Sequence, residues 1–535
     1  MKTKYILLLF SFLAFMACEN DDDSSSGDTM PLPDLTAGTA DFSNYVALGA
    51  SFTSGFTDGG LFIASQENSF PNILANQFRN AGGGAFTQPL MNDNFGGLAL
   101  AGNRIVNPRL VFGGAGPVPL ESVIGPVTVT TDIALNNPSG PFNNLGVPGA
   151  KSFHFIAPGY GNLSNFPAAA NPYAVRLTGS TPDASLIELG VAQNPSFFTL
   201  TLFGGNDVLG YATSGGDGSN PITDINTFDF ALNTALDALT ANGAQGVITN
   251  TPNVTSISYF TTVPHNPLDP SNDAFGPLIP TLNTLFGALN QVYAFLGVPE
   301  RSIVFESDAA SSVVIRDESI PDLSAQITQV LLADPNFPAF IGQFGLPPQA
   351  APLVAGLLGG TYGQTRQANE GDLITLPSAG IIGTVNQDFF QLLTSQGLSP
   401  ELAGQFSVEG VTFPLEDTWV LLPTEQQDVA MAVSAFNASV EAQAAARGLA
   451  LVDLEGILEE ASTVGVQFDQ FMMNTDLVFG GLVSLDGIHL TARGYAFMAN
   501  AYLDAIDATY GSNFRASGTV ARAGDFPTNY SPSLN

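Results

Sequence analysis

One cysteine, one tryptophan and three histidines in 535 residues leave little room for several common chemistries. A single thiol, Cys18, cannot close an intrachain disulfide, so stability must come from a packed core. No His/Cys cluster exists for zinc, and the stretches Asp217 to Asp224 and Asp269 to Asp273 lack the spacing of a calcium loop. Neither a metal nor a cofactor is expected. Basic residues are equally scarce, with 14 Lys and Arg against 48 Asp and Glu, a formal charge of -34. So few cations cannot assemble a phosphate-neutralising patch, which argues against nucleic acid and anionic lipid headgroups as partners. Gly149-Ala150-Lys151-Ser152 is a near miss for a phosphate-binding loop, because Ala150 stands where the glycine before the lysine is needed.

Charge of either sign is rare. Only 12% of residues are charged, against roughly 25% in ordinary globular chains, and mean hydropathy is +0.20. An outer-membrane barrel would suit that hydropathy, but 1 Trp and 12 Tyr are too few for two aromatic girdles. The long helical patterns described below also oppose a barrel. A soluble body with an apolar substrate surface fits better.

The N-terminus reads as an address rather than as structure. Met1-Lys2-Thr3-Lys4 is basic, and the mostly apolar run from Tyr5 to Ala17 is too short to span a bilayer, which takes roughly 20 residues. That is the pattern of an export signal over residues 1–17. Ala17 before the lone Cys18 looks like a bacterial lipobox, although Phe15 is atypical for its first position. The alternative is ordinary signal cleavage beside an incidental cysteine. Residues 18–41 begin with an acidic, serine-rich stretch that has nothing to bury, so a lipid-anchored flexible tether is expected. Its acidic cluster either resembles the surface-export signal of Bacteroidota lipoproteins or is a plain polar spacer. The expectation is an exported protein, membrane-attached through Cys18, at the outer membrane on its periplasmic or external face.

Downstream, strand and helix patterns alternate. Tyr45–Leu48, Phe197–Phe203, Gly246–Thr249 and Leu449–Val452 are near-continuous apolar runs, and Asn143–Val147 is a shorter, mixed one. Apolar strands without alternation indicate a parallel sheet covered on both faces. Thr424-Glu425-Gln426-Gln427 reads as a capping box opening a helix. Val429, Val433, Phe436 and Val440 share its apolar face and Gly448 ends it. After Thr491, a candidate cap, Tyr495, Met498, Tyr502 and Ile506 share another face. The alternation predicts an α/β fold, a three-layer doubly wound parallel sheet over residues 42–510 with a C-terminal tail from 511 to 535. Residues 253–423 form a large insertion between the fourth and fifth core strands. It reads either as a cap over the active-site edge or as a scaffold that buries its own apolar side chains, among them Phe337, Ile341 and Leu357.

Four short blocks carry chemistry. Gly49-Ala50-Ser51-Phe52-Thr53 follows the first strand, and Gly146-Val147-Pro148-Gly149 follows the second. Gly204-Gly205-Asn206-Asp207 comes after the third, and Asp486-Gly487-Ile488-His489 precedes the last helix. A serine is a weak nucleophile without an adjacent base. Of the three histidines, His154 lies among aromatics and reads as packing, and His265 lies in a turn. Only His489 has an acid, Asp486, at a fixed short spacing able to orient its imidazole. Asn206 reads either as ordinary turn chemistry or as an amide donor to an oxyanion. Gly49-x-Ser51 is not the elbow of the α/β-hydrolases, since Thr53 replaces the second glycine.

Together the blocks resemble those of the GDSL-type, or SGNH, serine hydrolases, over about residues 44 to 507. One departure is Ala50, where that family usually has Asp. The resemblance implies a flavodoxin-like SGNH hydrolase fold and an acyl-enzyme formed on Ser51, with His489 as base oriented by Asp486. It also implies an oxyanion hole of Ser51, Gly149 and Asn206. The expected activity is hydrolysis of an ester, lipase- or esterase-like, on a lipid, an acylated glycan or a small soluble ester. The rival expectation is a non-catalytic surface lipoprotein that uses such a fold to bind glycan or lipid.

Overall fold

The computed structural model describes residues 31–534. The expected export signal, Cys18 and the start of the tether lie outside the described residues. Five short strands form one sheet: β1 (Tyr45–Gly49), β2 (Asn144–Gly146), β3 (Phe197–Thr201), β4 (Gln245–Thr249) and β5 (Ala450–Val452). Their spatial order is β5-β4-β3-β1-β2, and every neighbouring pair is parallel. Successive side chains of a strand point to opposite faces, and here both faces are covered. Val46, Leu48, Phe198, Leu200 and Ile248 enter one core, and Tyr45, Ala47, Phe197, Val247 and Ala450 enter the other. A strand with no wet side needs no polar positions, which is why these segments read as unbroken apolar runs.

The covering helices follow from periodicity and caps. α1 (Ser51–Ser54), α2 (Phe70–Asn80), α3 (Gly205–Thr213), α4 (Ile225–Thr240), α5 (Pro423–Arg447), α6 (Leu454–Thr463) and α7 (Ala492–Tyr510) surround the sheet. α4 and α5 pack on one face, α2 and α7 on the other. The start of α5 differs from the expected Thr424 box. Leu422 is the cap, Pro423 is the first helical residue, and the Glu425 carboxylate accepts the Leu422 N–H at 2.6 Å. Proline suits that position because its missing N–H would have had no partner there. The other expectations hold: Val429, Val433, Phe436 and Val440 are buried, and Gly448 ends the helix at φ 63°. On α7 the Thr491 hydroxyl accepts the Gly494 N–H at 3.0 Å.

Residues 253–423 do lie between β4 and β5, and they build a separate core. The helices Ile279–Phe295, Ser324–Ala333 and Ala351–Tyr362 pack there with an antiparallel pair, Val314–Arg316 against Thr365–Gln367. Phe337 and Ile341 are buried in that core, while Val254, Ile257 and Phe260 join the core on one face of the sheet. The insertion also abuts the histidine loop, where the Tyr259 N–H donates to the Gly487 carbonyl at 2.9 Å.

The folded body extends past 42–510 at both ends. Thr39 N–H donates to the Tyr510 carbonyl at 2.8 Å, and Thr36 N–H to Asn513 Oδ1 at 2.7 Å, so the tether stops short of residue 41. Asn500 holds Ala521 through paired hydrogen bonds of 2.9 and 3.0 Å, and Tyr530 packs on Phe62. Residues 511–534 therefore belt the body rather than trail from it. No helix among the described residues is long and apolar enough to cross a membrane.

Because the two faces are equally covered, Phe197→Ala and Phe198→Ala should each cost about 3–5 kcal/mol of unfolding free energy in urea titrations. Phe230→Ala, on an exposed helix face, should stay within about 0.5 kcal/mol of wild type. A small loss at either Phe197 or Phe198 would mean that one face of the sheet is open.

Candidate active site

The carboxyl edge of the sheet gathers the four blocks. A side chain at Gly49 would strike the Thr53 side chain and the Thr201 carbonyl, so only glycine allows β1 to turn directly into α1. The turn puts Ser51 first in that helix, 6% exposed. Ala50, in place of the acid of the resembled family, contributes no side-chain cap. Local bonding comes instead from the Ser54 hydroxyl to the Ser51 carbonyl at 2.8 Å and from Asn144 Nδ2 to the Thr53 carbonyl at 2.9 Å. After β2, Gly149 adopts φ 79°, a left-handed geometry that favours glycine. The backbone N–H groups of Ser51 and Gly149 donate to nothing among the described residues.

Asn206 opens α3 with its side chain fixed by one bond, Nδ2 to the Ala150 carbonyl at 2.9 Å. An amide NH2 carries two protons, so the second remains available. Ser51 and Asn206 line one small cavity of about 50 Å³ with Leu209, Val254, Ile257 and Ile488. Asp207 secures this geometry from behind. Fully buried, it accepts the Ser152 N–H at 2.8 Å and the Ser152 hydroxyl at 2.6 Å, tying the Gly149 loop to α3. Burial raises its carboxyl, and the Ser152 hydroxyl opposes that rise.

Asp486 is the electrostatic centre. It accepts His489 Nδ1–H at 2.9 Å, the N–H groups of Ile488 and His489 at 2.9 Å, the Ser484 hydroxyl at 3.0 Å and the Gly59 N–H at 2.8 Å. Burial alone would raise this carboxyl. The charge of His489 and the bonds from His489 and Ile488 outweigh it and hold the group well below the usual carboxylate range. The imidazole is itself buried, with the rings of Phe52 and Phe56 at 5.5 and 4.8 Å. Phe52 is the residue after the serine, so the histidine sits beside the turn that carries Ser51. The Ser51 hydroxyl makes no hydrogen bond among the described residues, and in unliganded sites such bonds often close only around substrate.

The structure thus brings Ser51 and Asn206 to one cavity wall, sets Gly149 next to Asn206 through Ala150, and places the Asp486–His489 pair against Phe52. The other two histidines are elsewhere. His154 stacks on Tyr160 at 4.3 Å and accepts the Lys151 N–H, and burial lowers it to about 4. Lys151 donates to the Pro221 carbonyl at 2.9 Å.

Sequence reasoning missed Asp207 and Asp58 as supports. Asp58 is buried, sits at φ 52° and accepts the Leu485 N–H at 3.1 Å, and its carboxyl is pushed up to about 7 by burial first and by Asp486 second. Asp207 had a signal in the Gly-Gly-Asn-Asp run, but Asp58 had none. Away from the site, oxygens of Glu318, Asp417 and Glu425 lie within 4.8 Å of one another, a geometry a cation could occupy. Burial raises the Asp417 and Glu425 carboxyls, and the neighbouring charge of Glu318 raises them further.

A depressed carboxyl stabilises the fold above its unfolded value, about 3.9 for Asp, and that contribution is lost as pH falls through the folded value. Asp486→Asn should lose about 1–3 kcal/mol at pH 7 and show a shallower further loss below about pH 4 than wild type. Thermal melts from pH 7 to pH 3 measure both, and an unchanged acid limb would contradict the assignment. Comparison with protein-family models, with curated proteins and with solved structures found no match, so any functional reading stands on this geometry and on the four blocks.

Proposed function

We propose that the protein is a serine esterase or acyl-hydrolase of GDSL type, with an SGNH-like sheet and with Ser51 as nucleophile. The observation that carries this reading is the buried Asp486–His489 pair, closed at 2.9 Å beside the turn that presents Ser51. Ser51 Oγ attacks the ester carbonyl carbon while His489 Nε2 takes its proton. The carbonyl oxygen becomes an oxyanion held by the N–H groups of Ser51 and Gly149 and by the free amide proton of Asn206. Collapse breaks the bond to the alcohol, which leaves with the proton from His489. Water, deprotonated by the same imidazole, then cleaves the acyl-enzyme and restores Ser51. Asp486 holds one tautomer throughout and stabilises the imidazolium. No cofactor or metal is required.

The substrate is an ester, of lipid, acylated glycan or small-molecule alcohol. The net charge of -34 disfavours anionic partners near the surface. We place the enzyme outside the cytoplasm, anchored at the outer membrane through acyl groups on Cys18. Several acyl chains give stable attachment where one would be marginal, and the polar stretch after Cys18 would hold the body off the bilayer.

Ser51→Ala should abolish hydrolysis of a short p-nitrophenyl ester and labelling by a fluorophosphonate probe, with an unchanged melting temperature. Full turnover in that variant would remove Ser51 from the mechanism, and a wild type blind to the probe would favour a binding protein. Asn206→Ala should remain labelled but lose about 10²–10³ in kcat, the usual effect of one missing oxyanion donor. A change confined to KM would make Asn206 a substrate contact instead.

A further inference from the structure

Next to the cavity that holds Ser51 lies a second one of about 80 Å³. Phe52, Leu202, Pro252, Ile257 and Ile488 line both, so these five residues form the wall between them. The second cavity runs on to Leu458 of α6 and Phe497 of α7, and none of its fourteen lining residues has a polar side chain. The cavity is a partly open cleft, bordered by the half-buried side chains of Ile457, Leu458, Leu490 and Phe497. Water against this lining finds no polar side chain to bond, so displacing it by an apolar group is favourable. A hydroxylated or charged group would be buried without hydrogen bonds. Hydrocarbon alone fits the lining.

We propose that the two cavities are one acyl slot, and that the acyl half of the substrate is an unbranched aliphatic chain. This rests on the reading of Ser51 as an esterase nucleophile. The carbonyl carbon sits between Ser51 and Asn206, and the first methylenes fill the near cavity. The chain then passes between Phe52 and Ile488 toward Phe497. Both gate residues are only half-buried, so their side chains have space to turn aside. The slot lies between the strand ends and the helices α6 and α7, within the catalytic body. A larger cavity of about 1020 Å³ is lined wholly by insertion residues between Thr262 and Thr412 and contains none of the four blocks. The slot constrains only the acid half of the ester and leaves the alcohol half facing outward.

The test is a chain-length series with the full-length protein, using p-nitrophenyl acetate, butyrate, octanoate and dodecanoate. In wild type kcat/KM should rise about four-fold per added methylene, the transfer gain of a buried CH2, until the slot is full. Leu458→Trp, which plugs the far end, should lower the octanoate-to-acetate ratio at least ten-fold. Phe497→Ala, which opens it, should move the preferred chain beyond octanoate, and this second variant covers the case where the first fails to fold. Normal acetate hydrolysis with a flat chain-length profile, or identical ratios in the variants and wild type, would overturn the slot and leave the esterase reading standing. A wild type that hydrolyses no ester and takes no fluorophosphonate would overturn both.

Discussion

The site depends on one buried carboxylate that is solvated by the protein itself. Asp486 collects five hydrogen-bond donors, one of them Gly59 N–H from more than 400 residues upstream. Removing a charge from water costs several kcal/mol unless such donors replace the solvent. The bonds therefore do two things together. They make an ionised Asp486 affordable inside the body, and they lock the histidine loop to the segment that follows the serine. Asp58 continues the same lock through Leu485 N–H, and the guanidinium of Arg109 ties the neighbouring loop to the C-terminal segment by donating to the Ser531 carbonyl at 2.7 Å.

The sheet makes that lock possible by setting the ends of β1, β2, β3 and β4 side by side. Parallel strands deliver their connections to one edge, where ligands of open α/β sheets bind. The loop after β4 is held there by Asn437 of α5, which pairs with both the N–H and the carbonyl of Thr251 at 2.8 and 2.9 Å. Thr251 and Pro252 in turn line the cavity of Ser51. A polar side chain on a covering helix thus fixes part of the cavity wall. The scarcity of charge in the composition has the same origin. Two covered sheet faces and a separately cored insertion consume apolar residues, which leaves the charged minority to the surface and to a few buried supports.

What could be read in the sequence was whatever is local. Ser51, Gly149, Asn206 and the Asp486–His489 pair each sit in a block of a few residues, and the strands and the faces of α5 and α7 follow from short periodicities. Boundaries were less legible. The cap of α5 moved to Leu422 because Pro423 can begin a helix but the backbone before it cannot continue one. Contacts between distant segments were not legible at all. Asp58 looks like any turn aspartate until Leu485 is laid against it. The trio of Glu318, Asp417 and Glu425 spans about a hundred residues, and no spacing rule finds it. The docking of Thr36 and Thr39 on the end of α7 was hidden in the same way, since a Gly/Thr/Asp stretch carries no signal of what it will pair with.

The same energetics bear on the choice between an enzyme and a binding module. A fold used only to hold glycan or lipid could fill the position of Asp486 with an apolar residue, and exchanging a buried ion pair for a packed apolar one is often neutral or stabilising. It would also have no reason to keep the N–H groups of Ser51 and Gly149 and one proton of Asn206 without protein partners. Buried or half-buried donors left free cost stability unless something accepts from them. Of these three, Ser51 is buried and Asn206 half-buried, and both line one cavity, whereas Gly149 is exposed. Under the proposed reading, an oxyanion that exists only during the reaction would answer that arrangement by accepting from these donors as its charge develops. A resting ligand would have to carry the same charge permanently, into a protein whose own net charge of -34 repels it.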